Sequence, residues 1–316
     1  MYAKDDPRAN LNANASAGAP KAAEGFAGTQ YGRFYDTEPQ VTSPNGDTWY
    51  TRGETLVVGY SNARPGLVLE RKGQVDEYVV LIPNDDVRAT VTWKDETKEV
   101  EGPVAVFIPK GDSKVEITAG GDVFRLITTR NEDIARLASN ADAYAHGEHD
   151  PNVPPFQEWP APVGGEHIRA YSGNYPHQPG RFGRLFRGQT IMVNFGNGRP
   201  GKRDRTKLSP HFHDDFEQYS VATAGEYIHH VRWPWTPNGD HWREDEHEYC
   251  GSPSVAVLPP PAVHTSEGIN DGLNRLCDVF SPPRRDFSAQ PGWVINADEY
   301  PAPADLVMKA GGGSVE

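Results

Sequence analysis

Pro210-His211-Phe212-His213-Asp214-Asp215-Phe216-Glu217 is the stretch on which the reading turns, and Pro259-Pro260-Pro261-Ala262-Val263-His264 answers it further along the chain. Side chains on a β-strand alternate faces with period two, so His211 and His213 share a face, and the same parity carries Glu217 to it. A neighbouring strand would supply His264. Neutral imidazoles with one carboxylate suit a borderline divalent ion such as Fe, Mn, Ni, Co or Zn. The expectation is a metal site inside a β-barrel.

The rest of the chain fits an all-β protein. Its 316 residues are enough for two domains with sizeable cores. The 32 Gly and 28 Pro imply many turns. With 44 acidic and 31 basic residues the net charge is −13, which argues against nucleic acid or an anionic membrane as partner. No apolar run is long enough to span a membrane and no N-terminal apolar leader is present, so a cytoplasmic protein is expected. Cys250 and Cys277 make no disulfide framework and are expected as reduced thiols. A homodimer or higher homo-oligomer is expected.

Residues 1–46 read as an N-terminal arm. Short β-like runs follow at 55–60, 67–69, 78–82, 89–93, 104–108, 114–118 and 123–127, separated by Gly, Pro, Asn and Asp. A helix is predicted over 131–139, with acids in its first turn and Ile134, Leu137 and Ala138 as its apolar stripe. Residues 145–180, rich in Pro and Gly, read as a surface linker.

An internal repeat organises the whole. Arg52-Gly-Glu-Thr-Leu-Val-Val-Gly-Tyr-Ser-Asn-Ala-Arg-Pro-Gly66 matches Arg187-Gly-Gln-Thr-Ile-Met-Val-Asn-Phe-Gly-Asn-Gly-Arg-Pro-Gly201 without a gap. Asp76-Glu-Tyr78 then matches Phe216-Glu-Gln218, Trp93 matches Trp233, and Gly102-Pro-Val-Ala-Val106 parallels Gly251-Ser-Pro-Ser-Val-Ala-Val257. Where the second copy has His211, His213 and Glu217, the first has Arg71, Gly73 and Glu77; His264 falls opposite Ser113 or Lys114. The first copy cannot assemble this ligand set, so chemistry is expected in the second.

These residues resemble the cupin superfamily in its two-domain form. The family's first motif is Gly, five residues, His-x-His, three or four residues, Glu, six residues, Gly. His211, His213 and Glu217 stand in it, with Gly225 one position late and the leading Gly missing. The second motif is matched at Pro259 and His264, with Pro261 replacing its Gly and Gly268 its Asn; Pro109-Lys-Gly111 keeps the corresponding turn in the first copy. The resemblance implies two antiparallel jelly-roll barrels in tandem. A cupin without metal ligands would occupy 47–130, a helix and linker 131–184, a metal-binding cupin 185–285 and a tail 286–316. It implies one divalent transition metal, Fe(II) first, with Mn, Ni, Co or Zn as alternatives, held by His211, His213, Glu217 and His264.

Parity past Glu217 turns Tyr219 inward, a candidate catalytic group. The odd residues of 226–233 are the more apolar, which points Tyr227 inward as a substrate contact and His229 inward as a candidate base, the alternative for His229 being a hydrogen-bonded structural histidine. Arg232 would face out, toward the other barrel. The run Lys202-Arg-Asp-Arg205 precedes the ligand strand and would draw in a small anionic substrate, Arg205 included, if it is more than a solvated loop. The long segment 234–250 reads as a lid or a solvated loop. The first functional expectation is a dioxygenase acting on a small hydroxylated or carboxylated, possibly aromatic, substrate. The second is an isomerase, epimerase, lyase or decarboxylase acting on a sugar acid or hydroxy acid. A binding or storage role stands third.

Overall fold

The computed structural model describes Arg8, residues 26–145 and residues 150–306. It contains two modules, each a large antiparallel sheet facing a smaller one. The first has Arg169–Ser172, Val104–Ile108, Tyr78–Ile82, Gly121–Thr128, Leu56–Ala63, Gly46–Arg52 and Val41–Ser43 side by side. They face Val68–Gln74, Gly111–Ala119, Arg88–Trp93 and Glu96–Glu101. The second has Gln30–Arg33, Ser254–Leu258, Glu217–Ala224, Leu273–Ser281, Met192–Asn194 and Leu185–Arg187, with Arg199–Pro200 beside Leu273–Ser281. Its smaller sheet is Glu246–Gly251, Glu226–Arg232 and Val263–Gly268. No backbone ladder joins the two sheets of a module, so the expected barrels are open two-sheet jelly rolls.

The arm and the linker do not lie where a tandem arrangement would leave them. Gln30–Arg33, from the arm, pairs with Ser254–Leu258 in the second module. Arg169–Ser172, from the linker, pairs with Val104–Ile108 in the first. Each module is thus completed by a strand that the sequence assigns outside it. The predicted helix is shorter than its stripe. It spans Glu132–Ala135, because the Ser139 amide then donates to the Tyr50 carbonyl at 2.8 Å and draws the chain onto the sheet.

The two large sheets pack back to back. Leu56, Val58, Val79, Leu81 and Phe107 share one buried cluster with Val193, Tyr219, Val221, Val255, Val257 and Val279. Alternate residues point the other way. In the first module Tyr78, Val80 and Ile82 join Val91 and Val115 in an apolar interior. The corresponding inward residues of the second module include Gln218, Leu276 and Asp278, which line a cavity of about 750 Å³. One interior is filled and the other is hollow and polar. Cys250 and Cys277 are both free and buried, and no helix among the described residues is long and apolar enough to cross a membrane.

Candidate metal centre

His211 is held by two backbone hydrogen bonds to His264, one in each direction (3.1 and 2.8 Å). This bridge brings their rings to 4.6 Å between centroids, and His213 lies 5.0 Å from His264. Each ring is turned the same way. Nδ1 of His211 meets the Ser209 carbonyl (2.8 Å), that of His213 the Phe216 carbonyl (2.9 Å) and that of His264 the Ala262 carbonyl (2.9 Å). A carbonyl only accepts, so each Nδ1 carries the proton and each Nε2 keeps its lone pair. The Nε2 atoms of His213 and His264 are buried with no hydrogen-bond partner. An orphaned acceptor on two neighbouring rings is what a metal ligand looks like before its ion is bound.

Burial keeps these rings neutral. It lowers the pKa of His211 and His213 well below the usual histidine value, with His264 next as a repelling neighbour, and it lowers that of His264 to about 4. Arg284 adds to the depression. Its buried guanidinium lies 4.7 Å from the Phe216 ring and bonds to Asp286 at 2.5 and 2.9 Å.

Glu217 does not share this face. Residues 212–216 follow no strand and Glu217 is the first residue of Glu217–Ala224, so the period-two count from His213 fails. Its carboxylate crosses to the other module. It accepts from the amides of Glu54 (3.1 Å) and Thr55 (3.0 Å) and from the Thr55 hydroxyl (2.9 Å), and Tyr219 donates to it as well. Glu77 does the mirror-image work, accepting from the Gln189 amide (3.0 Å) and from Tyr300 (2.6 Å). The shared glutamate of the repeat therefore fastens each module to the Arg-Gly-x-Thr turn of the other. Among the described residues no group of three His, Cys, Asp or Glu side chains forms a ready-made metal cage. What the fold brings side by side here are three imidazole rings, with His264 beside both His211 and His213.

Tyr219 likewise leaves the interior, its hydroxyl accepting from the Leu56 amide at 2.9 Å in the interface between modules. Tyr227 faces the cavity and lines it. His229, 1 % exposed, lies inside the module behind the cavity wall. Its Nδ1 is 2.9 Å from the hydroxyl of Ser266, which is on the wall, and its Nε2 has no partner. Arg205 turns outward to Glu267 (3.2 Å), and Arg232 pairs with Asp245 on the exposed face. Neither belongs to the cavity wall, whereas Lys202 and Arg203 of the same basic run do. The segment 234–245 adds no residue to that wall, and its Trp235 and Trp242 stack on each other in solvent at 4.7 Å.

Sequence reading missed Arg181 and Arg199, which complete a cationic mouth, and Gln218 and Asp278 deeper in. For the arginines no periodic signal exists, since both lie in irregular chain. For Gln218 there was one: the motif also allows four residues before its acid, which points to position 218 and brings Gly225 into register.

In the first module the Arg71–Ser113 pair occupies the register of the His211–His264 bridge, so Ser113, not Lys114, is the counterpart of His264. Arg71 is buried against Asp133 (2.6 Å) and Gln74 (2.6 Å). In place of imidazoles that position holds a buried guanidinium that reaches out to an exposed carboxylate.

No family model matches the chain, and no curated protein is similar to it by sequence. Solved structures do share its fold. A formate complex of oxalate decarboxylase from Lactobacillus farciminis is similar with a TM-score of 0.54 and 14 % identity, over 92 % of this chain and 98 % of that one. AerE from Microcystis aeruginosa is similar at 0.51 and 9 %, over 76 % and 93 %. The architecture is that of a bicupin.

Proposed function

We propose that this chain is a metal-dependent bicupin enzyme, a dioxygenase acting on a small anionic substrate that carries hydroxyl or carboxylate groups. The observation that carries the reading is the common tautomer of His211, His213 and His264, which gives all three an unprotonated Nε2; His211 and His264 line the polar cavity and His213 packs against His264. When bound there, a divalent ion, Fe(II) first, supplies a Lewis-acid centre with positions left open for a chelating substrate and for dioxygen. The chain does the rest. Arg181, Arg199, Lys202 and Arg203 give the mouth a positive potential on an otherwise acidic protein, which steers an anion inward. Tyr227 and Ser266 form part of the wall against which the substrate is oriented. The test is metal analysis of the purified protein followed by oxygen uptake with catechols, hydroxybenzoates and diketones. Uptake that is lost in His264→Ala supports the reading; turnover undiminished under strict anaerobiosis ends it.

A second reading, lyase or decarboxylase chemistry, is favoured by the pair His229 and Ser266. A buried imidazole bonded to a hydroxyl on the cavity wall can hold or deliver a proton there, as cleavage without oxygen requires. The resemblance in fold to an oxalate decarboxylase agrees with it. Anaerobic turnover that collapses in His229→Gln would select this reading.

A further inference from the structure

Three imidazoles leave one protein position around the ion unassigned, and the repeat indicates who fills it. In the first module the residue after Glu77 is Tyr78, whose hydroxyl lies 2.9 Å from Ser113, the counterpart of His264. A phenol thus fills the place that the second module keeps open. The matching residue there is Gln218, 5 % exposed and on the cavity wall with His211 and His264. Its Nε2 donates to Ser220 (3.1 Å) and to the Asp278 carboxylate (3.4 Å). A carboxylate accepts and does not donate, so this contact fixes the orientation of the amide and leaves Oε1 as the end not tied to the wall. Position 218 also satisfies the motif's four-residue spacing with Gly225 in register, while the carboxylate of Glu217 is occupied by the other module.

We infer that Gln218, rather than Glu217, is the fourth protein group at the His211, His213 and His264 centre, and that the site offers a divalent cation an uncharged donor set whose counter-charge is a chelating organic dianion. The inference rests on the proposed metal-binding reading. With a glutamate at 218 the ion and its ligands would carry one positive charge; with glutamine they carry two. A dianion then neutralises the ion and its four protein ligands in one binding event, the Asp278 carboxylate lying outside that set against Ser220 and the Gln218 amide, and the cationic mouth of Arg181, Arg199, Lys202 and Arg203 favours the same charge.

Chelator-stripped full-length protein titrated with Co(II), read by calorimetry and by the visible absorption of the bound ion, tests this without any turnover. Malonate is then titrated into the Co(II)-loaded protein as a probe dianion. Expected are Co(II) binding unchanged within about threefold in Glu217→Gln and weakened roughly tenfold or more in Gln218→Ala. Gln218→Glu should bind Co(II) roughly tenfold more tightly and malonate roughly tenfold more weakly, because it adds one negative charge beside the ion. Gln218→Glu is isosteric and decides the question even if Glu217→Gln fails to fold. Co(II) affinity that falls in Glu217→Gln and stays put in both Gln218 variants overturns the inference while leaving a metal site. Absence of Co(II) binding by the unaltered protein overturns the metal reading and the inference with it.

Discussion

Burial makes His211, His213, His229 and His264 poor bases, and this has a sign that can be measured. Their folded pKa values lie below the ordinary 6.5, at about 4 for His264 and about 3 for His229. The unfolded chain therefore binds more protons below pH 6.5, and the stability that these rings contribute is complete above that value and is lost as pH falls toward the folded values. Glu77 works the other way: burial raises it from 4.5 to about 7, so its contribution is lost as pH rises through that interval. Asp215, raised by burial to about 6, acts in the same sense as Glu77, as do Asp76 and Asp278, whose burial also raises them, and the four histidines outweigh them across this interval. Metal-free protein should lose about 1–3 kcal/mol of unfolding free energy per pH unit between about pH 6.5 and 5. Urea midpoints across that range check it, and a flat profile contradicts it. At this scale the histidines were legible because spacing alone puts them together. Glu217 was not, because the three bent residues Asp214, Asp215 and Phe216 separate it from His213 and break the count on which its placement rested.

Between strands the most consequential contact is the reciprocal glutamate lock. A Cβ added at Gly53 would collide with the Tyr219 hydroxyl and the Glu217 carboxylate, and one at Gly188 with Glu77. Gly53→Ala and Glu217→Ala should each cost roughly 2–4 kcal/mol, the latter by leaving two amides and two hydroxyls without their acceptor. Differential scanning calorimetry measures the loss. Loss of metal from folded Glu217→Ala, at wild-type thermal stability, would reverse the assignment. The repeat made both glutamates visible, but their partners lie 163 and 112 residues away, and only the folded chain shows that they bond across modules. The runs of alternating Val, Ile and Thr gave the strands away; the exchange of Gln30–Arg33 and Arg169–Ser172 left no trace, since strand pairing at that distance has no local signal.

As a whole the molecule is two modules joined by a shared apolar cluster, with His211 and His264 on the wall of a cavity in the second. The apolar cluster between the large sheets draws residues from both copies of the repeat, so neither module has a finished surface alone. The full chain should melt in a single calorimetric transition. Residues 150–316 expressed alone, without their arm strand and with the Tyr219 and Val257 face uncovered, should be insoluble or unfolded by circular dichroism. A cooperative, soluble fragment would refute this. For the proposed anionic substrate, KM should rise severalfold between about 0.05 and 0.5 M salt, because a mouth lined by Arg181, Arg199, Lys202 and Arg203 acts through a screened field; an unchanged KM would place the recognition deeper.

The borrowed strand also orders events in time. Thr29 and Tyr31 reach Glu246, 217 and 215 residues downstream, and Gln30–Arg33 pairs with a strand that leaves the ribosome later still. During synthesis the first module's strands emerge and can pair early, apart from the edge that waits for Arg169–Ser172. The segment made earliest in the second module's sheet must wait, unpaired, until Ser254–Leu258 has been translated. The hollow module, where the imidazoles stand, consequently closes its large sheet only after the strands of the first module have emerged.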